Sequence, residues 1–266
     1  MKSVTRMAMR CDRLFARVLP FSLMLLAGTD PAHAAGCSFE PQGEGRVAAV
    51  LDARSFRLED GREVRLAGIE PVVTEAANGT AALAAIVAGR DVTLRGDDDT
   101  PDRYGRQPAF VFFEGSEDPV QARLVAEGEA LVSGTVTDKE CASVLGAAET
   151  AAREAKKGTW ADPAAIKNAE SSGDILAGIG RFTVVEGRVL SVRQAGATTY
   201  LNFGRNWTRG FAVTISRRMI AAFEAAGIGL KSLENRRIRV RGWVEARQGP
   251  RIEVLRVGQI EMVGEN

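Results

Sequence analysis

GRVAAVLDARSFRLEDGREVRLAGIE, residues 45–70, is the stretch on which the fold turns. Apolar and polar residues alternate along it, which is the period of a half-buried strand. Asp60-Gly61 stands where a two-residue hairpin needs residues that accept positive φ. The stretch predicts three consecutive strands. Beyond it, Thr74 is placed to cap a helix through EAANGTAALAAIVAG (75–89), which Gly89 stops. DVTL (91–94) and PAFVFF (108–113) supply a fourth and a fifth strand. DPVQARLVAEG (118–128) and KECASVLGAAETAAREAKKG (139–158) read as helices, and in the latter Cys141, Leu145, Ala148 and Ala152 fall on one face. Gly158 is expected to end it.

The same grammar returns later. FTVVEGRVLSVRQ (182–194), TTYLNFG (198–204) and GFAVTI (210–215) read as strands. Ser216 then caps the helix RRMIAAFEAAG, which ends at Gly227, and RRIRVRGWVEA and RIEVLR form a hairpin around Gln248-Gly249-Pro250. Three strands, a helix and two strands is the order of a five-stranded OB barrel. Both halves open alike, with EGRVAAV at 44–50 and EGRVLSV at 186–192. The expected fold class is mainly β with α, an OB barrel with flanking helices followed by a second OB-like barrel. Residues 35–160 form the first domain and 182–262 the second. Residues 161–181 are rich in Pro, Asn, Ser and Gly without lasting periodicity, and are expected to link them.

Residues 1–34 stand apart from the fold. Lys2, Arg6, Arg10, Arg13 and Arg17 precede an 11-residue apolar run, Val18 to Gly28, and AHA ends at Ala34. That is the layout of a cleaved signal peptide, and the run is too short for a membrane span of about 20 residues. Cys37 lies too far from the run, and lacks the preceding residues, to be a lipidated first residue. The chain is therefore expected to be exported, to the periplasm or beyond. His33, its single histidine, leaves with the leader, which excludes triads, zinc sites and other imidazole chemistry. Cys11 leaves too. Cys37 and Cys141 then remain in an oxidising compartment, where one disulfide is expected; the alternative is a pair of buried thiols.

The balance of 35 basic and 34 acidic side chains hides an asymmetry. Residues 35–170 carry a net charge of −9 and residues 171–266 a net charge of +7. Along RRIRVRGWVE the strand period places Arg237, Arg239 and Arg241 on one face. A basic stripe on an OB strand, with Tyr200, Phe203 and Trp207 nearby in sequence, fits single-stranded nucleic acid. The same arginines could equally dock onto the acidic first domain, with Phe203 and Tyr200 in the core.

Across residues 44–160 stand, in order, VLDARSF, VRLAGIE, the D-RYGR of Asp102 to Arg106, VQARLVAEGEALV and a last helix reaching GTW. On these motifs the stretch resembles the thermonuclease, or staphylococcal nuclease-like, family. The resemblance implies an OB barrel and a calcium-dependent phosphodiesterase acting on DNA and RNA. Carboxylates would hold the cation, a glutamate would activate water, and two arginines would neutralise the phosphoryl oxygens. Carried over by position, the catalytic set is Arg65, Arg106 and Glu70. The metal carboxylates are Asp52 and Glu70, and Arg103 and Tyr104 are the contacts to phosphate and base.

Two positions depart from the pattern. Arg54 replaces a metal-binding aspartate, and Val73 replaces the water-activating glutamate. A guanidinium about 4 Å from a divalent cation costs about 8 kcal/mol at an effective dielectric of about 20. Loss of a general base slows a reaction by about 10²–10⁴. Arg54 is expected to pair with Glu70 and Asp52, standing in for the cation. Glu75 and the run Asp97 to Asp99 are possible relocated acids; the plainer reading makes them a first-turn helix residue and a solvated loop. No organic cofactor motif is present, and calcium belongs only to a retained activity. Three function classes follow: an impaired nuclease that binds nucleic acid or another polyanion, a working phosphodiesterase with relocated acids, or an envelope protein-interaction module.

Overall fold

A computed structural model describes residues 37, 39–72, 76–206 and 209–264. The chain begins with β1 (Glu40–Asp52), β2 (Ser55–Leu58), β3 (Glu63–Leu66) and β4 (Ile69–Pro71), then α1 (Ala76–Val87). β5 (Asp91–Gly96), β6 (Arg106–Phe112), α2 (Val120–Ala126), β7 (Ala130–Val132) and α3 (Lys139–Glu154) follow. β1, β2, β3, β6 and β5 close into a barrel, with β3 and β6 parallel. β1 is long enough to serve two partners, pairing through residues 40–46 with β5 and through 47–52 with β2. Phe56, Leu66, Leu83, Leu94, Phe112 and Leu124 are buried in the barrel's core. Buried Gln121 of α2 satisfies backbone that the barrel leaves open: its amide nitrogen donates to Ala109 O at 2.9 Å and its carbonyl accepts from Val111 N. The predicted cap at Thr74 lies outside the described residues.

Cys37 and Cys141 form a disulfide, with Cα atoms 4.6 Å apart across 104 residues of sequence. It ties the start of the first barrel to the first turn of α3, where Asp138 also caps Cys141 N at 2.7 Å. Among the described residues no helix is long and apolar enough to cross a membrane.

The segment expected to be a linker has structure of its own. β8 (Ile166–Asn168) pairs in parallel with the next strand, and α4 (Ser172–Leu176) buries Ile175. Elements of three and five residues are too short to show a period, so only their partners reveal them.

After them come β9 (Phe182–Arg188), β10 (Ser191–Ala195), β11 (Thr198–Asn202), β12 (Ala212–Ser216) and α5 (Arg217–Ala225). β13 (Arg237–Ala246), β14 (Pro250–Val254) and β15 (Ile260–Met262) end the described chain. The single strand expected over 182–194 is interrupted at Val189-Leu190. Its halves still divide the work as β1 does, β9 pairing with β13 and β10 with β11. β12 and β14 are parallel, as β3 and β6 are. The second-half strands form one eight-stranded sheet in the order β10-β11-β12-β14-β13-β9-β8, with β15 on β13, and its run from β10 to β9 repeats the strand order of the first barrel. Ser216 stands at the start of α5, but its side chain makes no capping bond.

Residues 35–266 form one compact unit. Leu131, Ala152 and Trp160 of the first half pack with Phe182 and Val184 of the second in an apolar cluster separate from the two barrel cores. Backbone meets backbone nearby. A Cβ added to Gly134, whose φ is +71°, would lie 2.5 Å from Gly258 O, a contact that only glycine permits.

Candidate functional site

The tight β1–β2 connection places Arg54. Asp52 Oδ1 accepts from Arg54 N at 2.8 Å, an Asx turn of the kind that acids readily close, and Arg54 O accepts from Leu66 N at 2.8 Å. The side chain is thereby carried beside the end of β3. Gly68, at φ +78°, reverses the chain between β3 and β4, and a Cβ there would meet Phe110 and Val136 at 2.9 Å. That turn brings Glu70 to face Arg54.

Arg54 Nη1 donates to Glu70 Oε2 in a close ion pair, with the two side chains 16% and 13% exposed. Burial lowers the Arg54 pKa against the attraction of Glu70. Burial also raises the Glu70 pKa, against Arg54 and Arg65. The expected pairing with Asp52 takes another form, since its carboxylate binds the Arg54 backbone amide.

The D-RYGR segment is a turn closed on Asp102. Asp102 Oδ1 accepts from Tyr104 N and Arg106 N at 2.9 and 3.1 Å, and Oδ2 from Arg106 Nε and Nη2 at 3.0 and 2.7 Å. The Arg106 hydrogen bond holds Asp102 down at about 2, against desolvation, with the backbone amides assisting. The same bond raises Arg106. Arg106 is thus engaged by a neighbouring carboxylate rather than turned free toward a ligand. Tyr104 is exposed and flanked by the guanidinium groups of Arg103 and Arg106 at 4.8 and 5.0 Å from its ring centroid.

Arg65, on β3, differs from both other arginines. It stands 4.0 Å from Glu70 and 3.9 Å from Asp102. It is 27% exposed and faces a cleft of about 540 Å³. Among the described residues its side chain makes no hydrogen bond, and its two ion pairs are the longest at the site.

Residues 64–162 match the family model described as staphylococcal nuclease homologue. The first barrel is a staphylococcal nuclease-like domain. Nuclease activity and nucleic-acid binding characterise that family, and its enzymes typically depend on calcium. No curated protein matches the chain. The nuclease-like domain keeps Arg65, Arg106 and Glu70 together around one rim, with Asp52 at its edge. Val73 and Glu75, the lost and the possible relocated base, lie outside the described residues. Of the acidic run, Asp98 accepts from Thr100 N and closes its own loop, while Asp97 accepts from the Thr137 hydroxyl and ties that loop to the segment before α3.

The arginine stripe of the second barrel requires correction. Arg241 is 5% exposed and lies between the barrels, where Nη1 donates to Val132 O at 2.9 Å and contacts Glu149 Oε2 at 2.8 Å. Arg239 bridges Glu186 and Glu261, and Arg237 Nε donates to Glu186 at 2.7 Å. A stripe built for phosphate would keep its donors in solvent; here Arg239 and Arg241 are held by carboxylates, Arg241 across the join and Arg239 within its own sheet, and Arg237 alone stays largely exposed. Phe203 is buried in the second core, Tyr200 lies beneath Arg251, and Trp207 lies outside the described residues. Sequence reasoning missed Trp243, which is exposed on the cleft's other wall. The signal was present: two residues beyond Arg241, the same strand face carries Trp243.

Proposed function

We propose that the protein is exported and that its nuclease-like domain is impaired in cleavage, binding nucleic acid or another polyanion through Arg65. Residues 35–160 form the nuclease-like part and 182–262 the second barrel. The leader of residues 1–34 and the Cys37–Cys141 disulfide support export to an oxidising compartment.

The observation that carries the reading is the Arg54–Glu70 ion pair. Calcium needs six to eight oxygen ligands. Here one Glu70 oxygen is taken by a fixed positive charge, and one Asp52 oxygen by a backbone amide. Among the described residues no three acids, cysteines or histidines converge on a point. These residues do not fit a calcium ion. They fit an anion, because Arg54 neutralises Glu70 and leaves Arg65 with only long contacts to carboxylates and no side-chain hydrogen bond. A guanidinium fork suits the paired oxygens of a phosphate.

Calcium-dependent release of acid-soluble nucleotides tests the reading. The protein is expected to release none above background, and Arg54→Asp combined with Val73→Glu is expected to create measurable release. Strong cleavage by the unaltered protein, lost in Glu70→Gln, would show a working site instead.

A further inference from the structure

The cleft in front of Arg65 has two unlike walls. On the nuclease-like side stand Arg54, Arg65 and Glu70; on the other stand Trp243, Leu255 and Glu253, from the second barrel. Trp243 is 47% exposed although it lies mid-strand in β13. Side chains two residues apart on a strand share a face and stand about 6.8 Å apart along it. Arg241 is sealed into the join, and Trp243 emerges one such step farther along, where the barrels part. Its ring is held in place: Phe182, its register partner on β9, packs against it edge-on with centroids 6.1 Å apart. An indole fixed in this way offers a flat apolar surface at little cost in conformational freedom.

We propose that the space between the barrels binds single-stranded nucleic acid, with a phosphate on Arg65 and a base stacked on Trp243. The inference rests on the polyanion reading of the first barrel and adds that the second barrel completes the site. A nucleotide separates its charge from its flat apolar face, and the cleft separates its guanidinium from its indole in the same way. Charge also sets the direction in which the strand lies. Glu245 and Glu253 line the Trp243 wall, the former paired with Arg247 at 3.2 Å, and carboxylates there repel phosphates. The sugar–phosphate backbone therefore runs along the nuclease-like wall and the bases point toward the second barrel. This places Arg241 in the join to the first barrel, and the second barrel's contribution to the ligand in an aromatic ring.

The test uses the full two-barrel protein and two fluorescently labelled probes, a short oligothymidylate and an abasic oligodeoxynucleotide of the same length. Stacking of one base on an aromatic side chain is worth about 1–3 kcal/mol, or about 5- to 150-fold in affinity. Trp243→Ala is expected to weaken oligothymidylate binding by that factor and leave abasic binding within about twofold. Trp243→Phe should restore most of the loss. Arg65→Ala should weaken both probes, and the wild-type affinity for both should fall with added salt. If Trp243→Ala leaves oligothymidylate affinity unchanged while Arg65→Ala lowers it, the base site is wrong and the polyanion reading stands. If neither probe binds, or Arg65→Ala changes neither, both readings fall.

Discussion

One arginine–glutamate pair lies in the join between the barrels and another at the cleft, and the arginine networks around them set their carboxylates differently. In the join, Arg241 and Glu149 belong to a matched set. Arg241 also reaches Glu261, Arg153 approaches Glu149 and Glu261, and Arg239 bridges Glu261 and Glu186. Burial works to raise Glu186 and Glu261, yet the surrounding arginines outweigh it and hold both carboxyls below their usual range. At the cleft, burial wins at Glu70, whose carboxyl is pushed up despite Arg54 and Arg65. The first network leaves its charges satisfied by one another. The second leaves a carboxylate under-stabilised and a neighbouring guanidinium with only long contacts to carboxylates. Similar side chains thus act as mortar in one place and as an unfinished site in the other.

The contrast can be broken most forcefully at the join. Arg241→Met leaves Glu149 buried without its closest cation and is expected to cost about 3–5 kcal/mol in urea unfolding at neutral pH. Adding Glu149→Gln keeps an acceptor for Val132 N while removing the stranded charge, and should recover at least half of that loss. A double variant as unstable as the single one would mean that packing, not charge, sets the cost. At the cleft, burial already disfavours the ionised Glu70, so Glu70→Gln exchanges a costly charge for a neutral group and is expected to change stability by less than about 1.5 kcal/mol. An equal or larger loss there would erase the distinction between the two networks.

The smallest effect concerns acid. Asp102 is depressed in the folded state to about 2 from an ordinary value of 3.8. Its contribution is therefore fully present above pH about 4 and disappears as the pH falls toward 2. Solvent screening keeps the contribution under about 1 kcal/mol. Asp102→Asn should flatten that part of the urea-midpoint profile. Glu70 has the opposite sign: its raised value means the folded state binds the proton more tightly, so stability declines as pH rises through that value. Glu70→Gln should remove the decline, and a profile unchanged in both variants would contradict these assignments.

Much of the first barrel could be read in advance because its signals are local. Asp60-Gly61 marks a hairpin, alternation marks the strands, and Gly89 marks the end of a helix. The pairing of Arg54 with Glu70 could also be anticipated, since both stand where the family resemblance places ligands of one ion. What escaped was relational. A period of two puts Arg237, Arg239 and Arg241 on one face but is silent about what covers that face. Opposite net charges in the two halves hinted at docking without choosing it. β8 was hidden by its three-residue length, and its strand character comes from pairing with β9. Trp243 was missed for a different reason: the alternation that grouped the arginines was not followed one step farther.

The meeting of Gly134 with Gly258 has a consequence for how such a chain can drift in sequence. Any side chain at Gly134 would need its first carbon to stand off from Gly258 O by about 3.3–3.6 Å instead of 2.5 Å, so one barrel would have to slide by about 1 Å against the other. A displacement of that size, made far from Arg65 and Trp243 in sequence, would alter the gap between them. The calibre of the opening is governed by two residues that have nothing to offer a ligand.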